Sequence, residues 1–189
     1  MTVALTSKCT RCLLVALASG LLLLDGTVSA DPDLGSGSEF AAILGGGNGG
    51  HWARVDQVGD DHEATIDQSG NSHAAWIGQK GTGNTATIDQ GGSGHGAAIL
   101  QKSGSNNEAH IHQRGKGHLG LIGQVGSKNF AEIDQAGTNH AAKILQFGNN
   151  NTATIEQSGA NGRTASVQAG PFHLDYLRQE GNGMTFSMQ

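Results

Sequence analysis

Residues 79–90 read QKGTGNTATIDQ, and variants of this pattern recur along most of the chain. Within it, Asn84, Ala86, Ile88 and Gln90 stand two residues apart. A period of two is typical of a β-strand with one buried face, whereas an amphipathic helix needs apolar residues three or four apart. The glycines before the strand favour a tight turn, because glycine tolerates a positive φ. The pattern therefore predicts short strands joined by turns.

Glutamine shows how often this unit recurs. The 13 glutamines are spaced 11 residues apart, except for one interval of 12 and a last one of 10. Most glutamines have glycine two residues later, a branched aliphatic residue two before and alanine four before. The predicted glutamine ladder comprises Gln57, Gln68, Gln79, Gln90, Gln101, Gln113, Gln124, Gln135, Gln146, Gln157, Gln168 and Gln179. One unit cannot bury its apolar face alone, so the units are expected to stack as a solenoid.

Alternate units differ, which indicates that two of them make one coil of about 22 residues. The position six before glutamine is histidine in one set of units and mostly asparagine in the other. The predicted inward ladder comprises His51, His73, His95, His118 and His140, and Asn84, Asn107, Asn129 and Asn151. We therefore predict an all-β, parallel β-solenoid of about seven strand–turn–strand coils, with a cross-β, amyloid-like stack. Alanine and isoleucine fill its thin core.

The residue before glutamine distinguishes the outer faces of the two predicted sheets. One face carries the acidic column Asp67, Asp89, Asp134 and Glu156, interrupted by His112. On the other face glycine and leucine alternate at this position, and Leu100 and Leu145 join the outward Trp76 and Leu121 in an apolar surface stripe. A stacked apolar stripe indicates lateral packing of fibrils, or contact with a specific partner or a membrane surface.

The N-terminal segment differs from the repeats. Lys8 and Arg11 precede an apolar run over residues 13–24, and Val28-Ser29-Ala30 supplies small residues for a cleavage site. This order predicts a secretory signal peptide over residues 1–30, and the run is too short for a spanning helix. Residues 31–39 are predicted to be a flexible lead-in, and residues 40–189 the repeat domain. The mature protein is expected outside the cell.

Composition narrows the functional classes. A net charge of −5 argues against a nucleic-acid partner. Cys9 and Cys12 both lie in the leader, so the mature chain is expected to have neither a disulfide nor a cysteine zinc site. The acidic residues and histidines follow the repeat, and no Gly-x-Ser-x-Gly motif is present, so neither catalysis nor a cofactor is expected.

The repeat resembles that of the curlin family. The spacing Gln-x-Gly-x-x-Asn-x-Ala-x-x-x-Gln stands at residues 79–90 and again at residues 146–157. The resemblance implies a subunit of curli, an extracellular functional amyloid used in adhesion and biofilm matrix. It also implies self-association into fibres, other curlin subunits as partners, and export through an outer-membrane channel with accessory proteins. The regular Ala-x-Ile-x-Gln units are more similar to the minor, nucleating subunit than to the major one.

Two other interpretations follow from the same residues. A solenoid with threonine ladders would suit an ice-binding protein or another ligand-binding β-solenoid, but the outward column of Thr65, Thr87 and Thr154 is broken by His110 and Glu132. A histidine ladder can bind zinc or copper, although hydrogen-bonded stacking in place of asparagine is the favoured interpretation. Without a proline-rich cap, both ends are expected to present open strand edges that recruit further strands.

Overall fold

The computed structural model describes residues 2–7, 11–18 and 50–189, and every regular element in these ranges is a β-strand. The strands are β1 (Thr2–Ser7), β2 (Arg11–Ala18), β3 (His51–Asp60), β4 (His62–Asn71), β5 (Ala74–Thr82), β6 (Thr85–Ser93), β7 (Gly96–Lys102), β8 (Glu108–Lys116), β9 (Leu119–Val125), β10 (Phe130–Thr138), β11 (Ala141–Phe147), β12 (Thr152–Ala160), β13 (Gly162–Ala169), β14 (Leu174–Glu180) and β15 (Gly183–Met188). Along the repeat strands, buried residues alternate with more exposed ones, as the period of two in the sequence predicts.

Successive strands from β3 onward alternate between two sheets. The seven-stranded sheet has the order β1-β4-β6-β8-β10-β12-β14, and the eight-stranded sheet has the order β15-β13-β11-β9-β7-β5-β3-β2. Among themselves, strands β3 to β15 pair only in parallel, with a partner 21 to 23 residues away. These 15 − 2 = 13 strands make six and a half coils. The parallel β-solenoid predicted from the repeat is confirmed.

The register remains constant through the one 12-residue unit. The extra residue is placed in the turn between β7 and β8, where Ser103, Gly104 and Asn106 all have positive φ. On either side of this turn, Ile99 still pairs with Ile122 and Ile88 with Ile111. The turn absorbs the insertion because a one-residue slip in the strands would move every core side chain to the solvent face.

The core is a thin layer of small and branched side chains between the two sheets. Its isoleucines are Ile66, Ile77, Ile88, Ile99, Ile111, Ile122, Ile133, Ile144 and Ile155, and alanines fill most positions two residues before them. Gly120 replaces one of these alanines, and a Cβ there would lie 2.9 Å from Ile111 Cγ2. Uniform side chains on every rung let identical residues stack, which keeps the coils equivalent along the axis.

The N-terminal strands lie on the first coil. β1 pairs antiparallel with β4, and β2 pairs antiparallel with β3. The signal peptide over residues 1–30 stays a prediction, as does the boundary of the repeat domain at residue 40. The flexible lead-in predicted over residues 31–39 lies outside the described residues. Residues 42–44, which belong to the first of the seven coils expected from the sequence, also lie outside them.

Candidate functional site: ladders, outer faces and edges

The glutamine side chains form one ladder along each sheet. Each of the ten from Gln57 to Gln157 donates from Nε2 to Oε1 of the glutamine 22 or 23 residues later, at 2.7–3.0 Å. The same amide also donates across the core to a carbonyl of the opposite sheet, as Gln79 Nε2 does to Glu63 O at 3.0 Å. All twelve glutamines named from the sequence are buried. The two ladders therefore join neighbouring coils and also join the two sheets.

The asparagines form a second ladder on the seven-stranded sheet. Asn84, Asn107, Asn129 and Asn151 are buried, and each of the last three donates its backbone N–H to Oδ1 of the preceding asparagine at 3.0–3.1 Å. Their side-chain amides satisfy turn carbonyls, as Asn107 Nδ2 does with Gly126 O at 2.7 Å. The asparagine side chains thus provide hydrogen-bond partners for backbone N–H and C=O groups at the turns.

The histidines occupy the equivalent column of the eight-stranded sheet. His73, His95, His118 and His140 are buried, and the ring centroids of neighbours from His51 onward lie 4.8–5.2 Å apart. His95 Nδ1 accepts the backbone N–H of His118 at 3.1 Å, while its Nε2 lies 3.1 Å from Gly91 O. This arrangement requires a neutral ring with its proton on Nε2, because Nδ1 is already an acceptor.

Burial and mutual repulsion both favour this neutral form. Desolvation lowers the pKa of His73, His95 and His118, and a neighbouring histidine lowers each of them further. Hydrogen bonds to backbone carbonyls act in the opposite direction but do not outweigh burial. These three rings therefore resist protonation more than free histidine does.

The outer faces of the two sheets differ in chemistry. The carboxylates of Asp67, Asp89, Asp134 and Glu156 lie along the outside of the seven-stranded sheet, and His112 Nδ1 lies 3.9 Å from Asp89 Oδ2. His110 and Glu132 interrupt the threonine column there. A flat threonine array is therefore lacking on this described face, and ice binding is not favoured.

The apolar stripe lies on the outside of the eight-stranded sheet. Trp76, Leu100, Leu121 and Leu145 are all half-buried there. Gly78 makes room for its neighbours, because a Cβ at this position would lie 3.0 Å from Trp76 Cζ2 and 3.1 Å from Leu100 Cδ1. Trp76 Nε1 donates to Asp56 Oδ2 at 2.9 Å, which holds the indole against the sheet.

The last strands, β13 to β15, have polar residues at several inward positions that are apolar in the repeats. Thr164 and Ser166 of β13 take the core positions of alanine and isoleucine, in register with Ala142 and Ile144. Asp175 of β14 is also buried, and its Oδ2 accepts a 2.6 Å hydrogen bond from Ser166 Oγ. The register of β13 continues unbroken to Gln168, and Val167 pairs with Leu145 on the outer face. Counting two and four residues back from Gln168 would have identified both polar core residues.

The outside of this coil is apolar. Phe172, Leu174, Tyr176, Met184, Phe186 and Met188 are each at least 57% exposed. Elsewhere in residues 50–189 only Val125 and Phe147 are exposed large apolar residues. The final coil is therefore distinct from the repeats both inside and outside.

Two further features of the described residues bear on function. Among residues 2–7, 11–18 and 50–189, no helix has the length and apolarity to cross a membrane. In that same part of the chain, no three histidine, cysteine or acidic side chains converge in a way that could hold a metal ion. The stacked histidines lie in a line, and both ring nitrogens of His73, His95 and His118 are used by backbone groups.

Comparison with known proteins agrees with this geometry. Five matches to the curlin associated repeat cover residues 52–81, 59–91, 81–115, 104–137 and 129–159. No curated protein matches the chain. Because the repeat matches span more than half of the chain and fall on its stacked coils, this chain belongs to the curlin family, the family of curli-type amyloid fibre subunits.

Proposed function

We propose that the chain is a secreted, non-enzymatic subunit of a cell-surface curli-type fibre, and that it nucleates the fibre from another curlin subunit. The constant register of its ladders carries the proposal, because a folded coil presents an incoming chain with a finished template. The fibre serves adhesion and biofilm matrix, and the chain reaches the surface through an outer-membrane curli channel with accessory proteins.

The mechanism is templated strand addition. An edge strand carries a row of backbone N–H and C=O groups that a further strand can pair with. The glutamine and histidine or asparagine positions then set the register of the new coil, because each must meet its equivalent on the coil below. Nucleation is slow for an unfolded chain, since it must close a coil before any stacking contact forms. A preformed edge removes that step.

Seeding measures this activity directly. Adding substoichiometric processed chain (residues 31–189) to a purified major curlin subunit should shorten the lag of amyloid-dye fluorescence severalfold, because the first coil is supplied ready-made. An equal mass of an unrelated secreted protein is the control and should leave the lag unchanged. A lag that is the same with both additions would reject nucleation.

We further propose that the apolar stripe packs fibres side by side. Its four side chains are half-buried on the outside of the eight-stranded sheet, whereas the opposite face carries the acidic column. The apolar face costs less to desolvate, so it is the better surface for lateral association.

Replacing Trp76, Leu100, Leu121 and Leu145 with serine should therefore reduce bundling about threefold or more while leaving the strand core intact. Bundle width in negative-stain electron micrographs measures the first effect, and far-UV circular dichroism the second. The matched control replaces Thr65, Thr87 and Thr154 with serine on the opposite face, which should leave bundle width unchanged. Equal bundle widths in the stripe variant and the wild type would show that the stripe does not bring fibres together.

A further inference from the structure

The two ends of the solenoid present different interior residues. At the N-terminal end, the inward residues of β3 and β4 are Ala53, Val55, Ala64 and Ile66, all apolar. At the C-terminal end, three of the four corresponding residues are polar, since Asp175, Thr185 and Ser187 accompany Leu177. Terminal repeats of solenoids carry a polar outer layer where no further repeat follows. By this criterion the C-terminal coil is capped and the N-terminal coil is not.

The N-terminal end also offers an unused acceptor. Along each glutamine ladder, Nε2 donates toward the C-terminus and Oε1 accepts from the preceding rung. Gln57 is the first rung of the eight-stranded sheet, and its buried Oε1 accepts no hydrogen bond among the described residues. At the other end, Gln179 Oε1 already accepts from Gln157 Nε2 at 3.0 Å and from Thr164 Oγ1 at 2.7 Å. A donor amide on an incoming rung would therefore complete the first rung.

The N-terminal edge already pairs with additional strands within the chain. β1 and β2 lie on β4 and β3 over six and eight residue pairs. Strands β14 and β15 end their sheets and have a neighbour on one side only. The first edge thus accepts strands in this structure, while the last one stays bare across the described residues.

Head-to-tail stacking of two copies would join unlike layers. The last interior layer of one copy contains Asp175 and Ser187, and it would meet the apolar first layer of the next copy, which contains Val55 and Ala64. Asp175 has one hydrogen bond from a side chain, Ser166 Oγ, and neither alanine nor valine can donate another. Burying a carboxylate in an apolar layer with so few donors is strongly unfavourable.

We propose that the processed solenoid is a one-ended template: chains with the same repeat add at the β3–β4 edge, and the β14–β15 coil blocks addition at the other end. This inference rests on the proposed nucleating function and specifies which surface carries it. The partner is a curlin-repeat chain whose terminal coil has an apolar interior, rather than a second copy of this chain. The leader strands cover the template edge, so their removal exposes it.

Growth polarity on single fibres tests the proposal. Seeds of the processed chain carry one dye on a cysteine added after Gln189, and a major curlin subunit carries a second dye. We expect new fibre only at the end opposite the first dye. Growth at both ends at equal rates, or growth from the dyed end alone, would overturn the proposal while leaving the nucleating function standing. Seeds that support no growth at all would refute the nucleating function and the proposal with it.

A second measurement uses a variant whose terminal coil has the apolar interior of the other repeats. Changing Asp175→Ala, Thr185→Ala and Ser187→Ile returns the repeat residues to the last layer, so the variant should grow from both ends. Its self-assembly without a partner should be about tenfold faster or more, because the carboxylate no longer opposes stacking. The matched control is Tyr176→Thr, which restores an outward repeat residue on β14 and should change neither property. Self-assembly rates that are equal for the triple variant and the wild type would show that the polar layer is no cap.

Discussion

Replacing Gly92 with alanine should lower the free energy of unfolding by about 3–5 kcal/mol. Gly92 has a φ of +123° near the end of β6, and a Cβ there would lie 2.0 Å from the carbonyl oxygen of Gly115 on the next coil. The carbonyl oxygen cannot move away at little cost, because it belongs to the backbone of the next coil. The methyl group would therefore separate adjacent coils and weaken their parallel pairing. Guanidinium unfolding of the processed chain, followed by far-UV circular dichroism, measures this loss.

Two neighbouring glycines separate the possible causes of that loss. Gly91→Ala should change stability by less than about 0.5 kcal/mol, since its Cβ would have Ser69 Oγ at 3.4 Å as its nearest contact. Gly94→Ala should cost about 1–2 kcal/mol, because its φ is +70° but nothing lies within 4 Å of the new Cβ. If the Gly92 and Gly94 variants lost equal stability, backbone strain rather than close stacking would control the turn.

The fold could be predicted from the sequence because two periodicities agree. The period of two identifies strands, and the 11-residue glutamine spacing with alternating His and Asn identifies coils. A second left-handed position in each turn could be predicted where asparagine, aspartate or glycine fills it, as at Asp61, Asn106 and Gly117. It could not be predicted at Ser72, Lys128 and Phe172, which have φ between +58° and +62°. These residue types rarely adopt a positive φ, so their presence gives no signal for it.

The candidate site was predictable in position but not in its hydrogen bonds. Alternation places His95 and Gln90 on the inward face, but it does not say that a ring Nδ1 accepts the N–H of the next coil. The pairing of β1 and β2 with the first coil was not predictable either, because strand addition over long separations follows no local pattern. The polar interior of the last coil could be predicted, because Thr164 and Ser166 lie four and two residues before Gln168.

Assembly should be slower at pH 5.5 than at pH 7.5, because the histidine column must stay neutral to stack. Burial and neighbouring rings lower the pKa of His73, His95 and His118 in the folded chain. The unfolded chain therefore binds protons first as pH falls below about 6.5. The stability tied to neutral histidine is complete above that value and is lost as pH falls toward the lowered folded pKa.

Protonation would also remove specific bonds. A charged His95 has a proton on Nδ1 and can no longer accept the N–H of His118, and its ring lies 4.8 Å from the rings on either side. Replacing His51, His73, His95, His118 and His140 with asparagine should therefore abolish the slowing at pH 5.5. Asparagine already fills this position on the other sheet, where Asn84 Oδ1 accepts the N–H of Asn107 at 3.0 Å.

The lag time of the processed chain with a major curlin subunit, measured at both pH values for wild type and the asparagine variant, decides the question. The acidic column is exposed and screened by salt, so repeating the measurement at high ionic strength separates its contribution from that of the buried rings. A pH dependence that survives in the asparagine variant would locate the sensitivity outside the histidine column. A dependence that disappears only in high salt would assign it to the carboxylates, because buried, uncharged rings lose little of their effect to screening.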